Sequence, residues 1–172
     1  MNSFIIETFK EFSRVHFYTV RWDEQEESET DRFLARFLDD ETYREELDEL
    51  VTLIEDIGEN RGAVDFLFNR FENRATALPP NFPMEINGLE FSFPENRLRL
   101  YCLRLSETVV ILFNGGIKSA QTAQDSPDLS MKFHEAQQFV RKIEEALREE
   151  DLLLDAEKKI LSSAYGDEII IY

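Results

Sequence analysis

The stretch RLRLYCLRLSETVVILFNGGIK, residues 97–118, contains the strongest strand signals in the chain. Apolar and polar residues alternate from 97 to 102 in a segment that continues to 105, and a nearly continuous apolar run covers 108–114, with only Ser106–Glu107 between the two. Alternation is typical of a strand, and a very short connection favours antiparallel pairing. The two segments are therefore predicted to be adjacent strands, the second of which ends at Gly115–Gly116.

Patterns on both sides of this pair predict an α+β fold. Helices are predicted over 4–12, 31–38, 42–57, 63–73, from Ser130 onwards, and from Asp151 to about Ala164; further strands are predicted over 14–22, 85–93 and the terminal GDEIIIY. The spacing of Thr42 and Glu45 predicts a capping box, and Gly58 a helix stop. Short turns predict that strands 85–93, 97–105 and 108–114 form an antiparallel meander.

The length of 172 residues predicts one domain over 1–150, including a solvated acidic linker at 23–30, with a C-terminal extension over 151–172. The lone cysteine, Cys102, excludes a disulfide framework, and we expect no metal site and no cofactor. No segment reaches the roughly 20 apolar residues of a membrane span, and the N-terminus lacks a secretion-signal pattern. We therefore expect a soluble cytoplasmic protein that makes no membrane contact.

The charge of the chain is strongly negative and unevenly distributed. Formal net charge is −17, and residues 23–59 carry 16 acidic residues against three arginines. Such a chain should repel nucleic acid at long range, because nucleic-acid binding depends mainly on neutralising phosphates. Residues 97–118 are the exception, with four basic side chains against one acid. This basic segment is either the contact surface for an anionic ligand or a chance feature of a near-neutral sheet.

Strand alternation sorts the side chains of the basic segment onto two faces. One set, Leu98, Leu100 and Cys102, suits a core beneath helices. The other set, Arg97, Arg99 and Tyr101, is predicted to lie on an open sheet face, where guanidinium and phenol groups could contact phosphate. Arg104 adds a further cation, and Lys118 leaves the second strand near the same end of the sheet.

These residues resemble the C-terminal half of RelE/HigB-type toxins of bacterial toxin–antitoxin systems. The resemblance rests on the Arg-bearing strand, the apolar strand at 109–113, the Gly115-Gly116-Ile117-Lys118 exit, a polar loop, and the helix after Ser130. It covers about a third of the chain. It implies a small twisted antiparallel sheet with helices packed on one face, and metal-independent cleavage of mRNA, commonly on the ribosome, by a toxin that a cognate antitoxin neutralises.

The resemblance also assigns roles to particular residues. Arg99 matches the strand arginine that contacts the scissile phosphate, and Lys118 matches the basic residue after the glycine pair. His134 or Tyr172 could supply the proton-transferring group that family members carry near the C-terminus. Arg97, Tyr101 and Arg104 would then contact substrate. His134 next to Phe133 could equally be an ordinary surface residue of a helix.

The acidity of the chain leaves a second interpretation open. RelE/HigB toxins are generally basic, whereas this protein is acidic and carries a C-terminal extension. The same fold could therefore serve as a non-catalytic acidic module that binds a protein partner.

Overall fold

The computed structural model describes residues 3–172, which form three helices and eleven strands. The helices are α1 Glu29–Leu38, α2 Arg44–Asp56 and α3 Pro127–Arg148. The strands are β1 Phe4–Glu11, β2 His16–Trp22, β3 Arg70–Glu72, β4 Ala75–Leu78, β5 Met84–Ile86, β6 Leu89–Phe91, β7 Leu98–Arg104, β8 Val109–Ile117, β9 Leu152–Asp155, β10 Ile160–Ser163 and β11 Ile169–Ile171. The predicted α+β class is thus confirmed.

Seven strands form the main sheet, in the order β11-β1-β2-β8-β7-β4-β3. The pair β2–β8 is parallel and the other pairs of this sheet are antiparallel. The antiparallel pairing of β7 with β8 confirms the hairpin predicted from the basic segment. Strands β5–β6 and β9–β10 form two separate hairpins, so the predicted meander of three strands is wrong: its first member folds away from the sheet.

Helices cover both faces of the main sheet, which corrects the prediction of helices on one face. On one face α3 packs with Phe133, Phe139 and Val140 into a core that includes Tyr18 and Phe113. On the other face α1 and α2 form a second core with strand residues; members of this core are Phe33, Phe37, Leu47, Leu50, Leu53, Phe17, Leu100 and Leu112. A central strand buried on both sides reads as a continuous apolar run, as residues 109–113 do.

The predicted helix over 4–12 is in fact strand β1, which pairs with β2 on one side and β11 on the other. Its first three residues, Phe4, Ile5 and Ile6, are all buried because both faces of the strand are covered. Burial on both faces removes the two-residue alternation that identifies a strand. The apolar residues that remain happened to fit a helical spacing.

Three other predicted elements are replaced by short segments. The predicted helix over 63–73 is a 3-10 turn at Asp65–Phe68 followed by edge strand β3, and the predicted strand 85–93 is the β5–β6 hairpin. The predicted helical run after Asp151 is the β9–β10 hairpin. Each of these strands has three or four residues, too few to show a period, so local sequence alone could not identify them.

Helix α2 lies close to its predicted position, but its ends are built differently. Tyr43 is the N-cap residue and makes no side-chain capping bond, while the Asp40 carboxylate accepts the N–H groups of Thr42 and Tyr43 at 2.9 and 3.1 Å. The predicted capping box of Thr42 and Glu45 is therefore wrong. At the other end, the chain passes through a wider π-helical turn at Ile57–Arg61 and leaves it at Gly62, whose φ is 80°.

The C-terminal residues belong to the main fold. Strand β11, the predicted terminal strand, pairs with β1, and Leu152, Leu161 and Ile169 are buried in the α3-side core. Within residues 3–172, no helix combines the length and apolarity needed to cross a bilayer.

Candidate anion-binding site

Arg99 and Tyr101, which were predicted to contact phosphate, are both buried. Only 5% of Arg99 and none of Tyr101 is exposed, so the predicted open sheet face is wrong for these two residues. The covering elements are α3 and the loop that precedes it, which contribute Phe133 and Ala123 to the core around Tyr101. The face is polar in sequence because it holds a buried polar cluster, which alternation cannot distinguish from a solvated surface.

Strand pairing brings a third polar side chain to this face. Tyr101 pairs with Ala77 on β4, and Ala77 pairs with Arg70 on β3. Paired residues of neighbouring strands point to the same face, so Arg70 lies on the same face as Tyr101, with only the small side chain of Ala77 between them. Arg70 cannot be identified from the sequence pattern, because its strand lies in a segment whose spacing predicts a helix.

Three polar atoms of this cluster are buried without a hydrogen-bond partner: Nη2 of Arg70, Nε of Arg99 and the hydroxyl of Tyr101. The other contacts of the two arginines are to backbone carbonyls. Arg70 Nε donates to Pro79 at 2.6 Å, and Arg99 Nη1 donates to Asn96 at 2.6 Å and Leu98 at 3.1 Å. A buried polar group left unpaired costs about 1–3 kcal/mol. Three such groups together suggest a place for an oxygen-rich ligand.

The charges around the cluster shift the pKa values of its groups. Burial, and after it the positive charge of Arg70, lower the pKa of Arg99 to about 10, while Glu72 and Glu46 act in the opposite direction. Burial and the negative charge of Glu72 hold the pKa of the Tyr101 phenol well above its usual range. At neutral pH the cluster therefore presents two guanidinium cations and a protonated phenol.

A groove of about 270 Å³ lies between the β3–β4 turn and the loop that precedes α3. Its lining residues are Phe71, Glu72, Asn73, Thr122, Ala123, Gln124 and Phe133. The ring of Phe133 packs edge-on against the ring of Tyr101, with 6.1 Å between the centroids. Glu72, which lines the groove, also interacts electrostatically with Arg99 and Tyr101, so the groove lies next to the buried cluster.

The loop over the cluster is organised by one buried hydroxyl. Ser126 Oγ accepts the N–H groups of Ser119 and Ala120 at 3.1 and 2.9 Å and donates to the carbonyl of Thr122 at 3.0 Å. Residues 119–126 thus form a compact turn whose Ala123 packs into the core. These hydrogen bonds within the turn keep it folded over the buried cluster.

Gly115 and Gly116 lie inside β8, which continues to Ile117, so they do not end the strand as predicted. A Cβ on Gly115 would lie 1.8 Å from the carbonyl oxygen of Arg99, and one on Gly116 would lie 2.5 Å from the carboxylate of Asp128. That carboxylate accepts the N–H of Ile117 at 2.7 Å. The glycine pair is therefore required for close packing of β8 against β7 and α3.

The ends of α1 and α3 are joined across β8 by charged side chains. Glu29, fully buried, accepts hydrogen bonds from Arg32 at 3.1 Å and Asn114 at 3.2 Å, and lies 3.5 Å from Lys132 of α3. Arg36 forms an ion pair with Asp128. These contacts fix the start of α3, which carries Phe133 over the cluster.

The remaining predicted site residues are dispersed. Arg97 is exposed, and its carbonyl accepts the N–H of Lys118 at 2.8 Å, two rungs along the β7–β8 pair from Arg99. Arg104 lies at the opposite end of β7, where its Nε donates to the carbonyl of Ala63 at 2.6 Å. His134 is on the exposed side of α3, with its ring against Phe133. The structure thus brings together Arg99 and Tyr101 of the predicted set and adds Arg70 and Glu72.

Among residues 3–172, no group of three or more His, Cys, Asp or Glu side chains is placed to hold a metal ion. The chemistry of the cluster is that of an anion site, because its unpartnered groups, two guanidinium N–H groups and a phenol, can all donate hydrogen bonds. Comparison of the chain with protein-family models, with curated proteins and with solved structures found no match.

Proposed function

We propose that the protein binds single-stranded RNA through a backbone phosphate and acts as a RelE/HigB-like, metal-independent endoribonuclease. The observation that carries the proposal is the set of unpartnered buried donors on Arg70, Arg99 and Tyr101. A phosphodiester offers oxygen acceptors and no donors, so it complements such a set, and guanidinium groups match it especially well. The mRNA or the ribosome, and a cognate antitoxin, are the partners that accompany this function.

The cluster contains the groups that cleavage requires. The ribose 2′-oxygen attacks the adjacent phosphorus, the bond from phosphorus to the 5′-oxygen breaks, and a cyclic phosphate and a 5′-hydroxyl result. Arg70 and Arg99 stabilise the charge that grows on the phosphoryl oxygens. Glu72 is the base that takes the 2′ proton, a water molecule at the mouth of the site gives a proton to the departing 5′-oxygen, and protonated Tyr101 donates a hydrogen bond to the phosphate. His134 has no part in this scheme because it lies on the outer side of α3.

The proposal requires the turn at 119–126 to move. It covers Tyr101, so a phosphate enters only when Ala123 leaves the core. The turn is held mainly by bonds within itself and to Ser126, and it can therefore swing as a unit without breaking them. The groove beside it gives the direction of approach.

The test is cleavage of single-stranded RNA, with and without ribosomes, in the presence of a metal chelator. We expect products that end in a cyclic phosphate, and we expect Arg99→Met to abolish them while the protein stays folded. Arg74→Met is the matched control, because Arg74 is exposed and pairs with Glu144 at 3.4 Å outside the cluster. Intact RNA under every condition, or equal cleavage by Arg99→Met, would refute the endoribonuclease proposal.

A second candidate function, an acidic module that binds a protein partner, is favoured by a different observation. Many acidic side chains of residues 23–59 are exposed, among them those of Asp31, Glu41, Glu45, Asp48 and Glu55 on or next to α1 and α2. This surface suits a basic partner. Induced expression in a bacterial host separates the two functions: growth arrest that depends on Arg99 supports the toxin, whereas indifference to expression supports the module.

A further inference from the structure

The buried cluster holds an acidic side chain beside its cationic donors. Residues two apart on a strand point to the same face, so Glu72 shares the α3 face of the sheet with Arg70. The strand register agrees, because Glu72 pairs with Ala75 and Arg70 pairs with Ala77, and both alanines are buried in the α3-side core. Gln137 of α3 fixes this end of β3, since its Nε2 donates to the carbonyl of Glu72 at 2.6 Å.

The negative charge of Glu72 acts on all three donors of the cluster. Burial lowers the pKa of Arg70 and of Arg99, and Glu72 opposes both shifts. Burial raises the pKa of the Tyr101 phenol, and Glu72 raises it further. The cluster thus consists of two cations, one carboxylate and a neutral phenol, so the charges of the two arginines are only half balanced and a single positive charge is left.

Other charged groups near the cluster do not make it more positive. Glu46, on α2, also acts on Arg99 with its negative charge. Arg74, in the turn between β3 and β4, forms an ion pair with Glu144 at 3.4 Å, outside the cluster. Arg97 is exposed, so solvent and salt screen its charge. A ligand in the cluster therefore meets an excess of no more than one positive charge.

From this balance we propose that the site selects singly charged oxyanions over doubly charged ones, and that Glu72 sets this specificity. A singly charged anion neutralises the cluster, whereas a doubly charged anion leaves an uncompensated negative charge in a buried site, which is costly. An internal phosphodiester carries one negative charge, and a terminal phosphate group carries nearly two at neutral pH. The inference rests on the proposed function and narrows its substrate to internal linkages of a strand, so strand ends, mononucleotides and inorganic phosphate are rejected.

The hydrogen-bonding groups of the cluster agree with this selectivity. Three buried polar atoms lack a partner, and each of them can donate. Ionised Glu72, next to them, can only accept. Three donors suit the two non-bridging oxygens of a diester, whereas the third oxygen of a terminal phosphate would place a further charged acceptor beside a carboxylate.

The experiment measures competition for the site, with the full chain, at constant ionic strength and at about pH 8, where a phosphate monoester is doubly charged. A labelled 2′-O-methyl oligoadenylate, which cannot be cleaved, is the bound probe, and fluorescence anisotropy follows its displacement. The competitors are 2′-deoxyadenosine 3′,5′-cyclic monophosphate, a singly charged diester, and 2′-deoxyadenosine 5′-monophosphate, a doubly charged monoester. Both carry the same base. We expect the wild type to bind the diester at least about tenfold more tightly, which corresponds to about 1.4 kcal/mol.

Glu72→Gln removes the carboxylate charge and keeps the size of the side chain. We expect this variant to bind the monoester at least about tenfold more tightly than the wild type does, so that the preference for the diester is lost. Glu90→Gln is the matched control, because it removes the same charge at an exposed position on β6, in a hairpin separate from the main sheet. It should keep the preference of the wild type.

The outcomes separate this inference from the proposed function. If the wild type binds the probe but the diester displaces it no better than the monoester, the charge selectivity is overturned and the phosphate site stands. A preference that persists in folded Glu72→Gln, with its melting temperature as the check of folding, would overturn the role of Glu72. If the wild type does not bind the probe, the proposed function falls together with the selectivity.

Discussion

The two faces of β7 are both buried, but one carries apolar side chains and the other carries polar ones. Leu98, Leu100 and Cys102 pack into the apolar core beneath α1 and α2. Arg99 and Tyr101, on the other face, lie under α3 and its preceding loop with polar atoms left unpartnered. The first face contributes free energy of folding, whereas the second carries unpaired polar atoms that cost free energy. Under the proposed function, these polar atoms are the donors that bind the phosphate.

The largest effect should come from the apolar face. Leu100 is fully buried, and Leu100→Ala leaves a cavity beneath α1 and α2, so we expect a loss of about 2–5 kcal/mol in the free energy of unfolding. Urea denaturation measures this loss. Leu89→Ala, at an exposed position on β6, should change stability by no more than about 0.5 kcal/mol. Equal losses of stability in the two variants would mean that the apolar face of β7 is loosely packed.

The polar face should respond in the opposite direction. Tyr101→Phe keeps the ring that packs on Phe133 and removes the unpartnered hydroxyl, so we expect the free energy of unfolding to rise by up to about 1–3 kcal/mol. RNA affinity should fall in the same variant. Urea denaturation and the affinity for a single-stranded RNA, both measured for Tyr101→Phe and wild type, test this contrast between the two faces of β7. A loss of stability would indicate that the hydroxyl has a partner in solution and that the two faces are alike.

A smaller, pH-dependent effect should come from His16, at the end of the α3-side core where the β9–β10 hairpin joins β2. Its ring stacks on Tyr18, and its nitrogens bond Thr8 Oγ1 and the carbonyl of Lys159, each at 2.9 Å. Burial lowers the pKa of His16 in the folded state. The neutral ring therefore stabilises the fold fully above the unfolded pKa of about 6.5, and this contribution is lost as pH falls through the lower folded pKa.

The measurement is the melting temperature of wild type and His16→Leu between about pH 7 and about pH 5. We expect the wild type to lose more stability over this range than the variant, because only the wild type gains a proton at this position on unfolding. Parallel curves would show that His16 does not contribute to the acid response, and that the polar contacts of the α3 side are insensitive to its charge.

The smallest effect is expected at Cys102, on the apolar face. The thiol is fully buried, and burial raises its pKa to about 12. A thiolate is the reactive form, so the native protein should not react with a disulfide reagent near neutral pH, whereas the urea-unfolded protein should react completely. Absorbance of the released reagent reports both. Rapid reaction of the native protein would show that the apolar face opens readily.

Sequence patterns were reliable where an element is long and carries apolar residues on one face and polar residues on the other. Helices α1, α2 and α3 carry apolar stripes, and β7 alternates, so their positions followed from local spacing. The candidate site was only half predictable. Arg99 and Tyr101 could be selected because they lie on the alternating strand, whereas Arg70 and Glu72 belong to a three-residue strand with no period to detect.

The sequence by itself determined the α+β class, the β7–β8 pair and the concentration of cations in an acidic chain, because these depend on short-range spacing and composition. Only the tertiary structure decided that α3 covers the arginine-bearing face, that β3 brings Arg70 beside Tyr101, and that β11 completes the sheet at β1. Alternation divides a strand into two faces, but whether a polar face meets water or another layer depends on contacts between residues far apart in the chain. Such contacts leave no periodic pattern in the local sequence.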